Sequence, residues 1–209
     1  MTPHVHWSDA AVLVVEKPAG LLTVPGRAPE HRDCLISRVQ AQFPDALVVH
    51  RLDQVTSGLV LIARGADAQR ALSMQFQQRR VGKRYQALVQ GVPEAESGAI
   101  ALPLICDWPN RPRQMVDHAR GKPSLTRWRV IERLDAGPHG RPCTRLELEP
   151  VTGRSHQLRV HLASIGHPIL GDGLYGADPA PRVCLHAQWL AFTHPLDGRP
   201  LEVASPVPF

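Results

Sequence analysis

The segment HRLDQVTSGLVLIA, residues 50–63, places a cluster of polar side chains directly before an apolar stretch. The apolar part, 58–63, has the length and composition of a buried strand. Before it stand an imidazole, a guanidinium and a carboxylate within four residues, then two hydroxyls. Polar side chains directly before a buried strand are held in place by that strand and are often functional. Asp53 is therefore a candidate nucleophile or base, although the segment also suits a loop in which Asp53 and Thr56 make local turn and cap bonds.

A second segment, GRSHQLRVH at 153–161, is the basic start of a helix predicted over 155–165. If Ser155 caps this helix, the free N–H groups and the helix dipole make a site for an anion. Arg154 and Arg159 would strengthen such a site for a phosphate or carboxylate. A basic helix start lying in solvent fits the same pattern, and the spacing leaves both interpretations open.

Two further segments combine aromatic and basic side chains. In KRY, residues 83–85, Tyr85 heads the apolar face of an alternating strand, so it is either a core aromatic or a platform for a stacked base. In WPNRPR, residues 108–113, Arg111 and Arg113 can reach phosphates. Trp108 either stacks on a base or pins this loop to the body of the protein.

The charge balance is basic, with 24 Lys and Arg against 19 Asp and Glu in 209 residues, and a pI of about 9.4. This balance favours a polyanionic partner such as RNA, but a protein without that function can also be basic. No apolar stretch has the length of a membrane helix, and no secretory leader is visible, so we expect a cytoplasmic protein.

The sequence offers no motif for a cofactor. Neither a G-x-G-x-x-G nor a P-loop signature occurs, so nucleotide cofactors are unsupported. The four cysteines form no C-x-x-C pair, which argues for reduced thiols and against zinc. His156 and His161 are five residues apart and do not share a helix face, so we expect no metal site.

The predicted elements are runs of strands interrupted by a few helices, which favours an α+β fold with a mixed, largely antiparallel sheet. A long ordered loop is expected at 103–123. Helices are predicted at 35–43 after an Asp33 cap, at 66–80 with Gly82 beyond its end, and at 155–165. Strands are predicted at 11–15, 21–24, 58–63, 83–90, 126–133, 145–149, 183–194 and 201–204.

Five segments together resemble the RluA family of pseudouridine synthases, in the family's order and from about residue 10 to 205. HRLDQVTSGL resembles the family's HRLDxxTSG motif, and GRSHQLR resembles its GR(T/S)HQ(I/L)R motif, with Ser155 where threonine is common. The loop PLICDWPNRPRQ is similar to that of the short RluA subgroup. The five segments are 16–26, 50–59, 83–91, 153–176 and 185–190.

The resemblance implies a pseudouridine synthase fold, with a bent mixed sheet, flanking helices and a central catalytic cleft. It implies one catalytic domain of two fused halves over residues 1–209, without an S4 domain. Asp53 would be the catalytic aspartate, Tyr85 the tyrosine that stacks on the target base, and Arg154 the arginine that pairs with the aspartate. Arg51 is expected to help displace the base and fill the gap that it leaves.

The resemblance also implies a cofactor-free isomerase acting on structured RNA. The expected substrates are 23S ribosomal RNA at uridine 746 and the tRNA anticodon stem-loop at uridine 32, and the expected state is a monomer. Three alternatives remain: a non-catalytic RNA-binding module, the same activity on one of the two RNAs, and a hydrolase pairing Asp53 with Glu147 or Glu149. The residues expected to contact RNA are His50, Arg51, Lys83, Arg111, Arg113, His156 and Arg159.

Overall fold

A computed structural model describes residues 3–26, 28–29, 32–137 and 140–209. The chain forms two compact units, one from residues 1–83 and 186–208, the other from residues 84–185 and 209. The helices are α1 (Leu35–Gln40), α2 (Ala66–Gln77) and α3 (Gln157–Ser164). The strands are β1 (Val5–Ser8), β2 (Val12–Lys17), β3 (Ala46–Val48), β4 (Ser57–Arg64), β5 (Gly82–Gln90), β6 (Ser97–Ile100), β7 (Leu104–Cys106), β8 (Gln114–Val116), β9 (Thr126–Leu134), β10 (Cys143–Pro150), β11 (Leu185–Thr193) and β12 (Pro200–Ala204).

The first unit is built around β4, whose residues from Leu59 to Ala63 are fully buried. Strand β4 pairs antiparallel with β2 and β3 and parallel with β11, which in turn pairs antiparallel with β12. Leu59 and Leu61 pack with Leu72 of α2 in one core cluster. Each such side chain stabilises the fold by about 1.5–3 kcal/mol through burial. The polar segment before β4 is thereby attached to a strand that is buried along nearly its whole length.

The second unit is an antiparallel arrangement in which β10 lies between β5 and β9, and β6 pairs with the other edge of β9. Strands β7 and β8 form a separate hairpin. Helix α3 packs near this hairpin, where Leu104, Val160 and Tyr175 form a buried cluster. Parallel and antiparallel strand pairing with few helices confirms the α+β class with a mixed sheet that the sequence predicted.

Several predicted boundaries were wrong for local reasons. Helix α1 begins after Cys34 instead of Asp33, which forms an ion pair with Arg38. Helix α2 ends early because Arg79 adopts a left-handed conformation, with φ 58°, and Gly82 begins β5. The predicted strand at 21–24 is reduced to an isolated bridge at Leu22, and the predicted loop at 103–123 contains the β7–β8 hairpin.

Within the described residues, no helix is both long and apolar enough to span a membrane.

Candidate active site

Asp53 lies in the turn that leads into β4. The backbone N–H of Thr56 donates to the Asp53 carbonyl at 3.1 Å, which closes the turn. Thr56 is buried, whereas Asp53 is partly exposed and Arg51 is exposed. The residue that closes the turn, Thr56, is therefore buried, while Asp53 itself is only partly buried.

The residue before Asp53 is held by Thr23. The Thr23 hydroxyl donates to the Leu52 carbonyl at 3.0 Å and accepts from the Leu52 N–H at 3.2 Å. Both residues are buried. Because one hydroxyl satisfies both backbone groups, Leu52 cannot rotate without losing two buried hydrogen bonds.

The fully buried Lys17 holds the residue after Asp53. Its ammonium donates to three carbonyls, those of Pro18 at 2.9 Å, Leu21 at 2.7 Å and Gln54 at 3.0 Å. Gln54 and Gly20 also exchange two bonds, from Gly20 N–H to the Gln54 carbonyl and from Gln54 Nε2 to the Gly20 carbonyl. Three bonds from one charged donor compensate much of the cost of burying the ammonium.

The His50 ring has a structural role on the approach to the turn. Its Nε2 accepts from the Leu61 N–H at 2.9 Å, and the ring stacks on Phe76 with centroids 4.5 Å apart. Burial, with a smaller contribution from Lys83, lowers the pKa of His50 to about 3. The ring is therefore neutral at physiological pH and supplies no cation for a phosphate. A contact between RNA and His50 through its other edge stays a prediction.

Gly58 is needed for the close approach of β4 to β11. Its φ is +115°, a region that side chains rarely adopt, and a Cβ here would lie 2.3 Å from the carbonyl oxygen of Ala187. The glycine of the TSG sequence thus permits the parallel pairing that anchors the start of β4.

Tyr85 and Arg154 both belong to the second unit, whereas Asp53 and Arg51 belong to the first. Tyr85 is half-buried on β5, opposite Leu148 of β10. It shares a face of β5 with the buried Ala87, as the alternation of the sequence predicted.

Arg154 lies in the loop between β10 and α3, and Gln157 shapes this loop. The side-chain oxygen of Gln157 accepts from the Arg154 N–H at 3.0 Å and from the Thr152 hydroxyl at 2.7 Å. Its amide donates to the Leu125 carbonyl and to the Thr126 hydroxyl, each at 3.0 Å. Gln157 is 4% exposed, so one buried amide fixes a loop whose arginine is exposed.

The prediction of a Ser155-capped anion site was wrong. Helix α3 begins at Gln157, after His156 in a left-handed conformation with φ 52°, and no side chain caps it. His156 Nδ1 lies 2.7 Å from the hydroxyl of Tyr175, so it is already hydrogen-bonded within the unit. Its predicted contact with RNA remains a prediction.

Arg159 is buried in an internal ion pair, and its predicted contact with RNA stays a prediction. Arg159 forms a bidentate ion pair with Asp172, at 2.6 and 2.8 Å, and the two side chains are 5% and 2% exposed. The guanidinium also lies 5.1 Å from the ring centroid of Tyr175. Helix α3 turns this side chain towards the interior, where it pairs with Asp172. The spacing of residues within the motif does not reveal this partner.

The β7–β8 loop exposes the side chains that were predicted to meet RNA. Trp108 is 64% exposed, and the Arg111 guanidinium lies 4.5 Å from its ring centroid. Arg113 lies 5.8 Å from the Tyr175 ring, whose hydroxyl accepts from the Gln114 N–H. Trp108 thus stacks on an arginine and does not pin the loop to a core.

The carboxylates of the hydrolase alternative are paired elsewhere in the second unit. Glu147 accepts from Arg129 at 2.7 Å, and Glu149 lies 3.7 Å from Arg127. Among residues 3–26, 28–29, 32–137 and 140–209, no three His, Cys, Asp or Glu side chains are grouped to hold a metal ion.

Comparisons with known proteins converge on one family. The family model described as RNA pseudouridylate synthase matches residues 11–164. A protein of Yersinia pestis named dual-specificity RNA pseudouridine synthase RluA is 51% identical over 203 residues, covering 95% of this chain and 96% of that protein. The Escherichia coli K12 protein of the same name is 45% identical over 207 residues, covering 97% and 92%. The solved structure of human RNA Pseudouridylate Synthase Domain Containing 1 is 31% identical, has a TM-score of 0.83, and covers 100% of this chain and 84% of its own.

Proposed function

Because this chain belongs to the RNA pseudouridylate synthase family, we propose that it isomerises uridine to pseudouridine in structured RNA with Asp53 as its catalytic carboxylate. The observation that carries the proposal is the family match over nearly the whole chain, with Asp53, Tyr85 and Arg154 all present at the motif positions. A degenerate RNA-binding module would be expected to lack at least one of them.

The proposed reaction breaks the bond between N1 of uracil and C1′ of ribose, turns the base, and forms a bond from C5 to C1′. The proton on C5 is then lost and N1 regains one, so atoms and electrons balance without a redox step. Asp53 would act at the sugar, by stabilising positive charge at C1′, by covalent attack, or by taking a nearby sugar proton. All three roles need an ionised carboxylate held still, which the bonds of Lys17 and Thr23 around the turn support.

Tyr85 and Arg154 complete the proposed machinery. We propose that the ring of Tyr85 stacks on the face of the uracil, because a half-buried aromatic side chain on a strand offers a flat surface at low entropic cost. We assign Arg154 the pairing with Asp53, because a carboxylate that bound RNA shields from water would cost several kcal/mol without a cation beside it. Gln157 supports this assignment, since it fixes the backbone of Arg154.

Reaching a stacked uridine requires that the enzyme flip it out of the RNA, at a cost of a few kcal/mol. In the proposal, Arg51 fills the vacated space and Lys83 binds a phosphate. Trp108, with Arg111 on one face, presents its other face for a base, and stacking on an aromatic contributes about 1–3 kcal/mol. Arg113 adds a cation to the same loop, and these contacts would offset the cost of flipping.

We further propose both 23S ribosomal RNA and tRNA as substrates, following the dual-specificity name of the curated relatives. Modification of one of the two RNAs is the nearest alternative. Residues 1–209 would act as one catalytic domain, as a monomer, in the cytoplasm where these RNAs are found. Mapping pseudouridine in both RNAs from cells with and without the gene tests this: loss of one modification alone would contradict dual specificity.

The role of Asp53 is tested by Asp53→Asn, which keeps the size of the side chain and removes its charge. We expect no tritium release from RNA labelled at C5 of uridine, with RNA affinity retained. Asp67→Asn is the matched control, because Asp67 is an exposed aspartate on α2 paired only by a surface contact with Arg70. Release at the wild-type rate by Asp53→Asn would refute the assignment.

A further inference from the structure

A chain of hydrogen bonds runs through the first unit from Ser57, four residues after Asp53, to Glu16. Ser57 Oγ lies 2.8 Å from Nδ1 of His186, and Nε2 of His186 lies 3.1 Å from Oγ of Ser205. Ser205 Oγ donates to Oε2 of Glu16 at 2.7 Å. The two serines and the histidine are at most 7% exposed, so these three residues are shielded from water.

The carboxylate at the end of the chain sets the direction of every hydrogen in it. An ionised carboxylate only accepts, so the Ser205 hydroxyl hydrogen points to Glu16. The Ser205 oxygen then accepts from His186 Nε2–H. His186 Nε2 also lies 3.8 Å from Oε1 of Glu16, so the carboxylate favours a proton on that nitrogen. In the neutral ring Nδ1 would then accept from the Ser57 hydroxyl, and Glu16 in β2 would orient a hydroxyl in β4.

At its other end, this chain of hydrogen bonds reaches the point where the Asp53 turn joins the sheet. Ser57 is the first residue of β4 and pairs in register with His186 of β11. The preceding residue, Thr56, closes the turn onto the Asp53 carbonyl. Lys17 and Thr23 hold the residues on either side of Asp53, and the bond from Ser57 to His186 holds the turn's exit into β4.

We propose that Glu16, Ser205 and His186 are positioning residues for the isomerisation, which orient Ser57 and so fix the turn that carries Asp53. The inference rests on the proposed function. None of the three is assigned a contact with RNA. His6 supports the carboxylate, since its Nε2 lies 2.8 Å from Glu16 Oε2.

Two substitutions of His186 separate positioning from general packing. His186→Asn places an amide oxygen where Nδ1 lies, so it keeps the bond to Ser57 and loses the bond to Ser205. His186→Gln places its amide where Nε2 lies, so it loses the bond to Ser57. We expect His186→Gln to lower kcat about tenfold, since small displacements of a catalytic group cost up to about a hundredfold. We expect His186→Asn to keep kcat within about threefold although it unfolds at a similarly lowered temperature. An amide oxygen always accepts, so this variant no longer needs Ser205 and Glu16, which in the wild type make Nδ1 the acceptor.

Ser57→Ala tests the same bond with a smaller change, and decides the matter if either histidine variant fails to fold. It should also lower kcat about tenfold, with KM for RNA unchanged within about twofold. The matched control is Ser124→Ala, because Ser124 is a buried serine with a hydrogen bond to the Lys122 carbonyl in the second unit. The control should keep both constants.

Two results would overturn the inference while the wild-type enzyme remains active. One is a Ser57→Ala variant with wild-type kcat. The other is a loss of kcat in both histidine variants that follows their loss of thermal stability, which would mark the chain as structural only. A wild-type enzyme that makes no pseudouridine would instead refute the proposed function, and this inference with it.

Discussion

The replacement Lys17→Met should both destabilise the protein and slow catalysis. Methionine matches the aliphatic part of the lysine side chain but lacks the ammonium, so it cannot donate to the carbonyls of Pro18, Leu21 and Gln54. The Gln54 carbonyl still accepts from the Gly20 N–H. The carbonyls of Pro18 and Leu21 lose a charged donor, at about 1.5–3 kcal/mol each.

Removing the ammonium also removes the free-energy cost of burying it, which offsets part of that loss. We therefore expect the free energy of unfolding to fall by about 3 kcal/mol. For a chain of this size, such a loss lowers the midpoint of thermal unfolding by about 6–12 °C. Because the loosened residue follows Asp53 directly, kcat should fall about tenfold even at temperatures where the variant is fully folded.

The assay combines urea unfolding with tritium release at a temperature well below the variant's unfolding midpoint. Lys122→Met is the matched control, because Lys122 is exposed and its loss should change neither quantity. A loss of stability below about 1 kcal/mol together with wild-type kcat would show that the three bonds do not hold the Asp53 turn.

Three further substitutions test the ion pair of Arg159, the close strand approach at Gly58 and the lowered pKa of His50. Arg159→Met should lower the free energy of unfolding by about 3–5 kcal/mol, because it leaves the carboxylate of Asp172 buried and unpaired. The double variant Arg159→Met/Asp172→Leu should recover most of that loss in urea unfolding, and KM for RNA should be unchanged in both. A raised KM at normal stability would support the RNA-contact role of Arg159. Gly58→Ala should cost at least about 3 kcal/mol because its Cβ meets a backbone oxygen at a positive φ, and an unchanged unfolding midpoint would contradict this. The lowered pKa of His50 contributes stability that is present above pH 6.5 and lost as pH falls towards 3. His50→Gln should therefore show a shallower decline of the unfolding temperature across that window, and equal slopes for the two proteins would count against a lowered pKa.

The elements that the sequence predicted well are those in which one local signal dominates. Strand β4 follows from an uninterrupted apolar run, and β5 and β9 from strict alternation. The short strands β1, β3, β6, β7 and β8 escaped prediction because three or four residues carry too little periodicity. The start of α3 was misplaced because His156 adopts a left-handed conformation that its residue type does not announce.

The same contrast holds for the site. Asp53, Tyr85 and Arg154 were found through motifs, which record residue identity and spacing. The burial of Lys17 was missed, because a lysine at the end of an apolar strand is ordinarily assigned to the surface. The ion pair of Arg159 was missed because Asp172, thirteen residues later, is brought to it only by the fold. Motifs thus proposed the groups for the chemistry, whereas the groups that hold the Asp53 turn were visible only in the structure.

The most direct test of the central claim is to incubate the purified protein with a tRNA anticodon stem-loop and separate the nucleosides by chromatography. We expect that pseudouridine appears, that no free uracil is released, and that Asp53→Asn forms neither product. Release of free uracil would show hydrolysis of the glycosidic bond in place of isomerisation. Pseudouridine formed by Asp53→Asn would show that this carboxylate is not the catalytic group.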